Sequence, residues 1–556
     1  MLQTLQTMHD EKIVDRIWQK DHTVWSTSPT EISNRLGWLT EPLDMIQHIE
    51  EIETFVKEIC ECGFTNAVLL GMGGSSLAPE VFCKTFGLKD GYLELSVLDT
   101  TEPGAIAAQT QALELEKTLF IVSTKSGGTI ETISLFKYFY SQVCRELGRE
   151  NAGKHFIAIT DPGSGLEQLA NDCQFEHVFL NNPDIGGRFS VLSFFGMVPA
   201  GLTGIDLDKF LQRAITMLES SKLPVQLDEI TNPAVLLGVA MAEYALAGQD
   251  KLTLILSNTL KSFGLWVEQL VAESSGKSGI GILPVDGELP AAADKYGDDR
   301  LFVYVKLRGD NGHDESVAQL KEQGFPVFQI ELSDIYDIGA EFFRWEMATA
   351  VACWRLKVNP FDQPNVEAAK ISSKAMLAAY EKDGALPAVE PSFENQKCAV
   401  YADSAVSSLA EGLATFLAEA QEKDGSYISI QAYLTPTANL DALLSHLQNA
   451  IRDRTRRATT TGYGPRFLHS TGQLHKGDAG NGFFLQLEFQ SESDLAIPDT
   501  VQNDQSSVSF NTLKNAQSLG DRDALLSCGR KVLRVDLKQD VVSNLEHMIA
   551  TIEAHE

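Results

Sequence analysis

The sequence predicts an α/β fold, with parallel sheets covered by helices on both faces, arranged as two successive units and a further α/β unit at the carboxyl end. Three observations point to it. Short apolar runs of strand length alternate with segments of helical periodicity. In the first unit each run is followed by a loop containing Gly, Ser or Pro. The alternation then restarts twice along the chain, which is the rhythm that packs helices on both sides of a parallel sheet.

The elements can be justified in order. Residues 1–65 read as a helical cover outside the catalytic core, because "DEKIVDRIWQK" and "LDMIQHIEEIETFVKEIC" carry apolar residues at helical spacing. The first sheet unit, 66–230, holds the runs "NAVLL", "LELSVLD", "TLFIVST", "KHFIAIT" and "EHVFLN". The second, 231–372, holds "KLTLILSN", "GIGILPV", "RLFVYVKL" and "FPVFQIEL", then the long helical stretch "DIGAEFFRWEMATAVACWRLK" and the segment "VNPFDQPNVEAAK". In the third, 373–556, a helix runs into a linker before the strands "KCAVYAD", "YISIQAYL", "GFFLQLEFQ" and "KVLRVDL". The polar stretch "PDTVQNDQSSVSFN" has few residues able to build a core and is expected to be an exposed loop.

Composition narrows the function. With 556 residues, 44% of them hydrophobic, the chain can bury several cores, and its length suggests about three to four domains. A net charge of −31 repels phosphate backbones and argues against nucleic acid as a partner. A small anion remains compatible with it, since helix N-termini and a few basic groups act at short range. No run approaches the roughly 20 apolar residues of a membrane helix, and the amino terminus lacks the apolar core of a secretory signal; the expectation is a cytoplasmic protein without a membrane partner. The eight cysteines form no framework, and Cys60-x-Cys62 lacks a second ligand cluster, so reduced thiols and no metal site are expected.

Two loops carry the chemistry. After the strand at 66–70 come Gly71, Gly73, Gly74, Ser75 and Ser76, then an amphipathic helix. Glycines permit close backbone approach, and hydroxyls with free helix N-terminal amides suit an anion. A dinucleotide fingerprint and a purely structural turn are the alternatives; against the first, Ser76 stands where the third glycine belongs. A second loop favours phosphate: Thr124, Lys125, Ser126, Gly127, Gly128 and Thr129 follow another strand and precede a helix carrying Glu131. Both loops lie at carboxyl ends of parallel strands, where such sheets place ligands. The Gly-x4-Gly-Lys-Ser/Thr pattern of nucleoside triphosphate hydrolysis is absent.

Together "GMGGSSLAPE" and "TKSGGTIET" resemble the paired phosphate loops of sugar isomerase (SIS) domains, which implies two αβα sandwich domains of that type. "GGRFSVLS" at 186–193, "AESSGKSG" at 272–279 and "VNPFDQPNVEAAK" at 358–370 resemble the glucose-6-phosphate isomerase family. "YGPRFLHSTGQLHKG" at 463–477 is similar to the isomerase half of bifunctional transaldolase/glucose-6-phosphate isomerases. The resemblance covers isomerase motifs only, so no transaldolase activity is expected, and Met1 favours a stand-alone chain.

The resemblance implies ring opening of a sugar phosphate and proton transfer between C2 and C1 through a cis-enediol(ate), with no metal or organic cofactor. Glu273 matches the base that shuttles the proton. Arg188, after Gly186 and Gly187, matches the cation that offsets the enediolate charge. Ser75, Thr124, Ser126 and Thr129 match phosphate ligands, with Lys125 adding charge or amides, and Gly74 and Gly187 allow the backbone close to the substrate. Lys370 matches a lysine near the ring oxygen. His469 matches the histidine of ring opening, with His475 as the nearby alternative.

Chain order departs from the family here, because the histidine usually precedes the lysine, and "DKYGDDRLFVYV" contains none. Either the third unit folds back over its own cleft, or His469 serves a neighbouring chain in a homodimer. Competing readings are a phosphosugar sensor, an isomerase for another sugar phosphate, and an NAD-dependent oxidoreductase. A sensor would need only the phosphate ligands, whereas Glu273, Arg188 and Lys370 are all present.

Overall fold

The computed structural model describes residues 1–226, 231–491, 494–503 and 505–554. The first sheet contains β1 (Asn66–Gly71), β2 (Glu94–Leu98), β3 (Thr118–Ser123), β4 (Phe156–Thr160) and β5 (His177–Leu180). All pair in parallel, in the order β2-β1-β3-β4-β5. Every residue of β3 and β4 is buried, as continuous apolar runs require when helices cover both faces. The chain leaves β1 towards one edge and returns to β3 on the other side, so the crevice between them is the switch point. Leu70 pairs with Val122 and Gly71 with Ser123. The glycine loop and the threonine loop therefore start side by side.

The second sheet contains β6 (Lys251–Leu256), β7 (Leu283–Val285), β8 (Arg300–Leu307) and β9 (Val327–Leu332), again parallel, in the order β7-β6-β8-β9. These are the expected two parallel sheets, and the expected division between them at 230/231 touches residues outside those described. The helix Ile338–Leu356 is the central pillar, packing on Leu207–Ser221, Pro233–Leu246 and Phe263–Ser275. Its Phe342 stands edge-on to Trp266, ring centroids 4.7 Å apart. The amino-terminal helices share this core: Trp38 packs on both Phe189 and Phe343.

The third unit is a six-stranded sheet of β10 (Phe393–Glu394), β11 (Ala399–Tyr401), β12 (Tyr427–Tyr433), β13 (Ala458–Tyr463), β14 (Gly482–Glu488) and, beyond a small hairpin of β15 (Ala496–Ile497) and β16 (Val508–Ser509), β17 (Lys531–Asp536). Its order is β10-β11-β17-β14-β12-β13, with β10 and β11 antiparallel at one edge. Edge strand β13 went unread because "ATTTGY" is polar and only half-buried towards its end. The stretch at 498–511 is exposed only in its middle among the described residues and is not all loop: Val508–Ser509 form β16 and Phe510 opens a helix, Phe510 being buried, like the neighbouring Ile497, with the first sheet's core.

The third unit docks on both others. The helix Phe510–Ser527 packs along the helix Val366–Asp383, inside which the expected 372/373 division falls. Tyr427, Leu474 and Phe484 share a buried cluster with Ala272, Leu283 and Val285 of the second unit. No helix among the described residues is long and apolar enough to cross a membrane.

Candidate active site

A cavity of about 640 Å³ opens at the switch point, and every site residue expected from the sequence lines it. The glycine loop forms one tight turn, Gly73–Ser75, with Gly73 at φ +55°. A Cβ on Gly74 would lie 2.0 Å from the carbonyl oxygen of Gly187. This contact of bare backbones brings the loop of Ser75 against the loop of Arg188. Gly74→Ala is thus expected to push the two loops apart and abolish activity at substrate levels that saturate the native protein, while far-ultraviolet circular dichroism stays native; full activity in that variant would contradict the close approach.

Ser75 faces the cavity, but Ser76 is spent on structure: its hydroxyl donates to Gly73 O at 3.2 Å and Asp99 Oδ2 at 3.0 Å. In the second loop the hydroxyls of Thr124 and Thr129 are 2.9 Å apart, and Ser126 Oγ accepts from Gly128 N at 3.3 Å. Thr129 precedes the 18-residue helix Ile130–Leu147 and makes no side-chain cap. Of the first-turn amides that Thr129 leaves uncapped, that of Glu131 faces its own carboxylate. Lys125 is engaged with Asp161 and donates to Pro183 O at 2.9 Å, so its charge is already compensated. Arg35, from the amino-terminal cover, also lines this end; the sequence offered no signal for it.

Glu273 sits near the end of the helix Phe263–Ser275 and is only 7% exposed. Arg188 Nη1 lies 3.6 Å from its Oε2, and Gln269, one turn earlier on the same face, donates at 3.3 Å. Burial raises the Glu273 carboxyl above its usual range, with Arg188, Lys277 and His469 pulling it partly back. A buried carboxylate with a raised pKa and a nearby cation has the properties of a base ready to take a carbon-bound proton.

Arg188 does more than face the carboxylate. It donates from Nε to Ser274 Oγ at 2.9 Å and from Nη2 to Pro360 O and Asp362 O at 2.6 and 2.9 Å. Lys277, also buried, donates to Asn359 O at 2.7 Å and Asp362 O at 2.6 Å. Two cations thereby take the carbonyls of the turn that delivers the helix Val366–Asp383. On that helix Lys370 lines the cavity, its Nζ 4.0 Å from Glu367.

His469 reaches the cavity from the third unit of the same chain. Its Nε2 is 2.9 Å from Glu131 Oε1, and its carbonyl accepts from Gln269 at 2.7 Å, so the side chain that supports Glu273 also anchors the histidine backbone. Gln473 clamps the segment to Gly276 O at 2.9 Å and Asn365 Oδ1 at 2.7 Å, and Arg466 pairs with Glu80 and Asp99. Burial depresses the imidazole, but the adjacent Glu131 carboxylate outweighs it and the net shift is upward. His475 is removed from consideration: it is 1% exposed among Tyr427, Phe467 and Phe484, away from the cavity. Gln269 was within reach of sequence reasoning, lying four residues before Glu273 on one helix face; Glu131's partner role and Gln517 were not.

Comparison with known proteins matches residues 43–289 to the phosphoglucose isomerase family. A glucose-6-phosphate isomerase of Synechococcus sp. (strain JA-2-3B'a(2-13)) is 31% identical over 385 residues, covering 59% of this chain and 70% of that protein. The chain belongs to the glucose-6-phosphate isomerase family. A probable glucose-6-phosphate isomerase of Methanococcus maripaludis is 28% identical over 393 residues, 64% of this chain and 86% of its own. Among solved structures, a glucose-6-phosphate isomerase of Chlamydia trachomatis has a TM-score of 0.56 at 19% identity, covering 68% of this chain and 86% of that one. The fold is common to both.

Proposed function

We propose that this cavity interconverts glucose 6-phosphate and fructose 6-phosphate. The observation that carries the reading is Glu273 set 3.6 Å from Arg188 in a cavity that also holds the two hydroxyl-rich loops and His469. The phosphate is bound by the hydroxyls of Ser75, Thr124, Ser126 and Thr129. His469 and Lys370 handle the protons of ring opening. Glu273 then removes the C2 proton and returns it at C1, while Arg188 meets the charge on the enediolate oxygen. Each chain carries a complete set of these groups, alone or in a homodimer.

A coupled assay of fructose 6-phosphate conversion in dialysed, chelated protein tests the reading. The double change Ser75→Ala and Thr129→Ala should raise KM strongly with a smaller effect on kcat, because these hydroxyls carry no proton chemistry. Equal conversion of unphosphorylated glucose and its 6-phosphate would refute the phosphate site.

A further inference from the structure

The Glu131–His469 pair has a second partner on the third unit. Gln517, on the helix Phe510–Ser527, donates from Nε2 to Glu131 Oε1 at 2.6 Å, the same oxygen that faces His469. Its own Oε1 accepts from the Thr101 hydroxyl at 2.8 Å. Both side chains are buried, Gln517 at 4% and Thr101 at 0% exposure. The Glu131 contact decides which way the amide points: turned over, it would set a carbonyl oxygen against a carboxylate oxygen with no proton between them, and with the amide this way round the Thr101 hydroxyl serves as donor to its oxygen. One turn earlier on that helix, Lys514 lies 3.7 Å from Glu102, beside Thr101, so two contacts fix the helix to the loop after β2.

We infer that Gln517, tethered to the loop after β2 by Thr101, is a positioning residue that keeps Glu131 ionised and aimed at His469, so that the proton of the pair rests on the imidazole. The inference rests on the isomerase reading above. Burial alone would raise the Glu131 carboxyl, but it lies below the usual range, first through the charge and hydrogen bond of His469, with the Gln517 amide adding in the same direction as donors to a carboxylate do. The charged groups acting on His469 are Glu131, Glu273 and Asp99 on the negative side and Lys370 on the positive. Only Glu131 makes a hydrogen bond to the ring among the described residues. Without the amide, the carboxylate competes for the proton, which is then no longer offered to the sugar-ring oxygen.

The test uses full-length Gln517→Leu, Thr101→Val and Thr101→Ser, assayed across pH on closed-ring substrate and on an open-chain analogue. Gln517→Leu should lose about tenfold in turnover of the closed ring, spare the open-chain analogue, and move the alkaline limb, where the pair sheds its proton, to higher pH. Thr101→Val, equal in volume but without the hydroxyl, should move both in the same direction by less, and Thr101→Ser should keep the native profile. An unmoved limb, or equal losses on both substrates, would overturn the inference even if Gln517→Leu fails to fold, since the Thr101 pair decides it. An inactive native chain would instead defeat the isomerase reading itself.

Discussion

Glu273→Gln should lower turnover by at least about a hundredfold, the scale of a lost general base, with the fold intact. The amide keeps the shape of the carboxylate but cannot take a proton from carbon. Arg188 loses its partner at 3.6 Å yet retains acceptors on Ser274, Pro360 and Asp362, so the turn it holds remains anchored. Native protein should also wash part of the label from C2-deuterated substrate into solvent, because a carboxylate proton can exchange before its return. The acid limb of the native profile should lie above the ordinary carboxylate range: the base works deprotonated, its pKa is raised mainly by burial, and the working form is lost as pH falls through that raised value. Native-like turnover in the Gln variant, or an acid limb at the value of a free carboxylate, would remove Glu273 from the mechanism.

His469→Asn should slow conversion of the closed ring by about a hundredfold while largely sparing an open-chain analogue, since ring opening is a separate step from proton transfer. His475→Asn should show no such split, because His475 packs among rings of the third unit. The structure adds a sharper measurement. His469 and Glu273 line the cavity of one chain, so mixing the His469→Asn and Glu273→Gln proteins should restore nothing, whatever the oligomeric state. Recovery of activity on mixing would mean that the histidine serves a neighbouring chain. Equal losses on closed and open substrates would mean that His469 holds structure and moves no proton.

The first two sheets were legible because strands buried on both faces are continuous apolar runs, and β1, β3, β4, β6 and β8 are nearly uniform in this respect. The phosphate loops were legible because glycines and hydroxyls at the carboxyl ends of such strands have few other uses. The polar edge strand β13 escaped, since one partner strand and partial burial demand little hydrophobicity. Arg35 and Gln517 escaped for a different reason: an arginine in a helical cover and a glutamine within a helix carry no local mark of the cavity they line.

By itself the sequence determined the α/β class and the two hydroxyl-rich loops, both of which depend on local pattern, while the residues proposed to act were pointed to by the family resemblance of their motifs. Where Lys125 spends its charge, that Ser76 is structural, and that His469 rather than His475 reaches the cavity were decided by tertiary structure alone. His469 lies 196 positions after Glu273 along the chain; what joins them is Gln269 bonding to both, Gln473 clamping the third unit to Gly276, and the apolar cluster beneath. Such contacts are set by how buried surfaces of separate units fit together, and the linear order of residues carries no local signal of that fit.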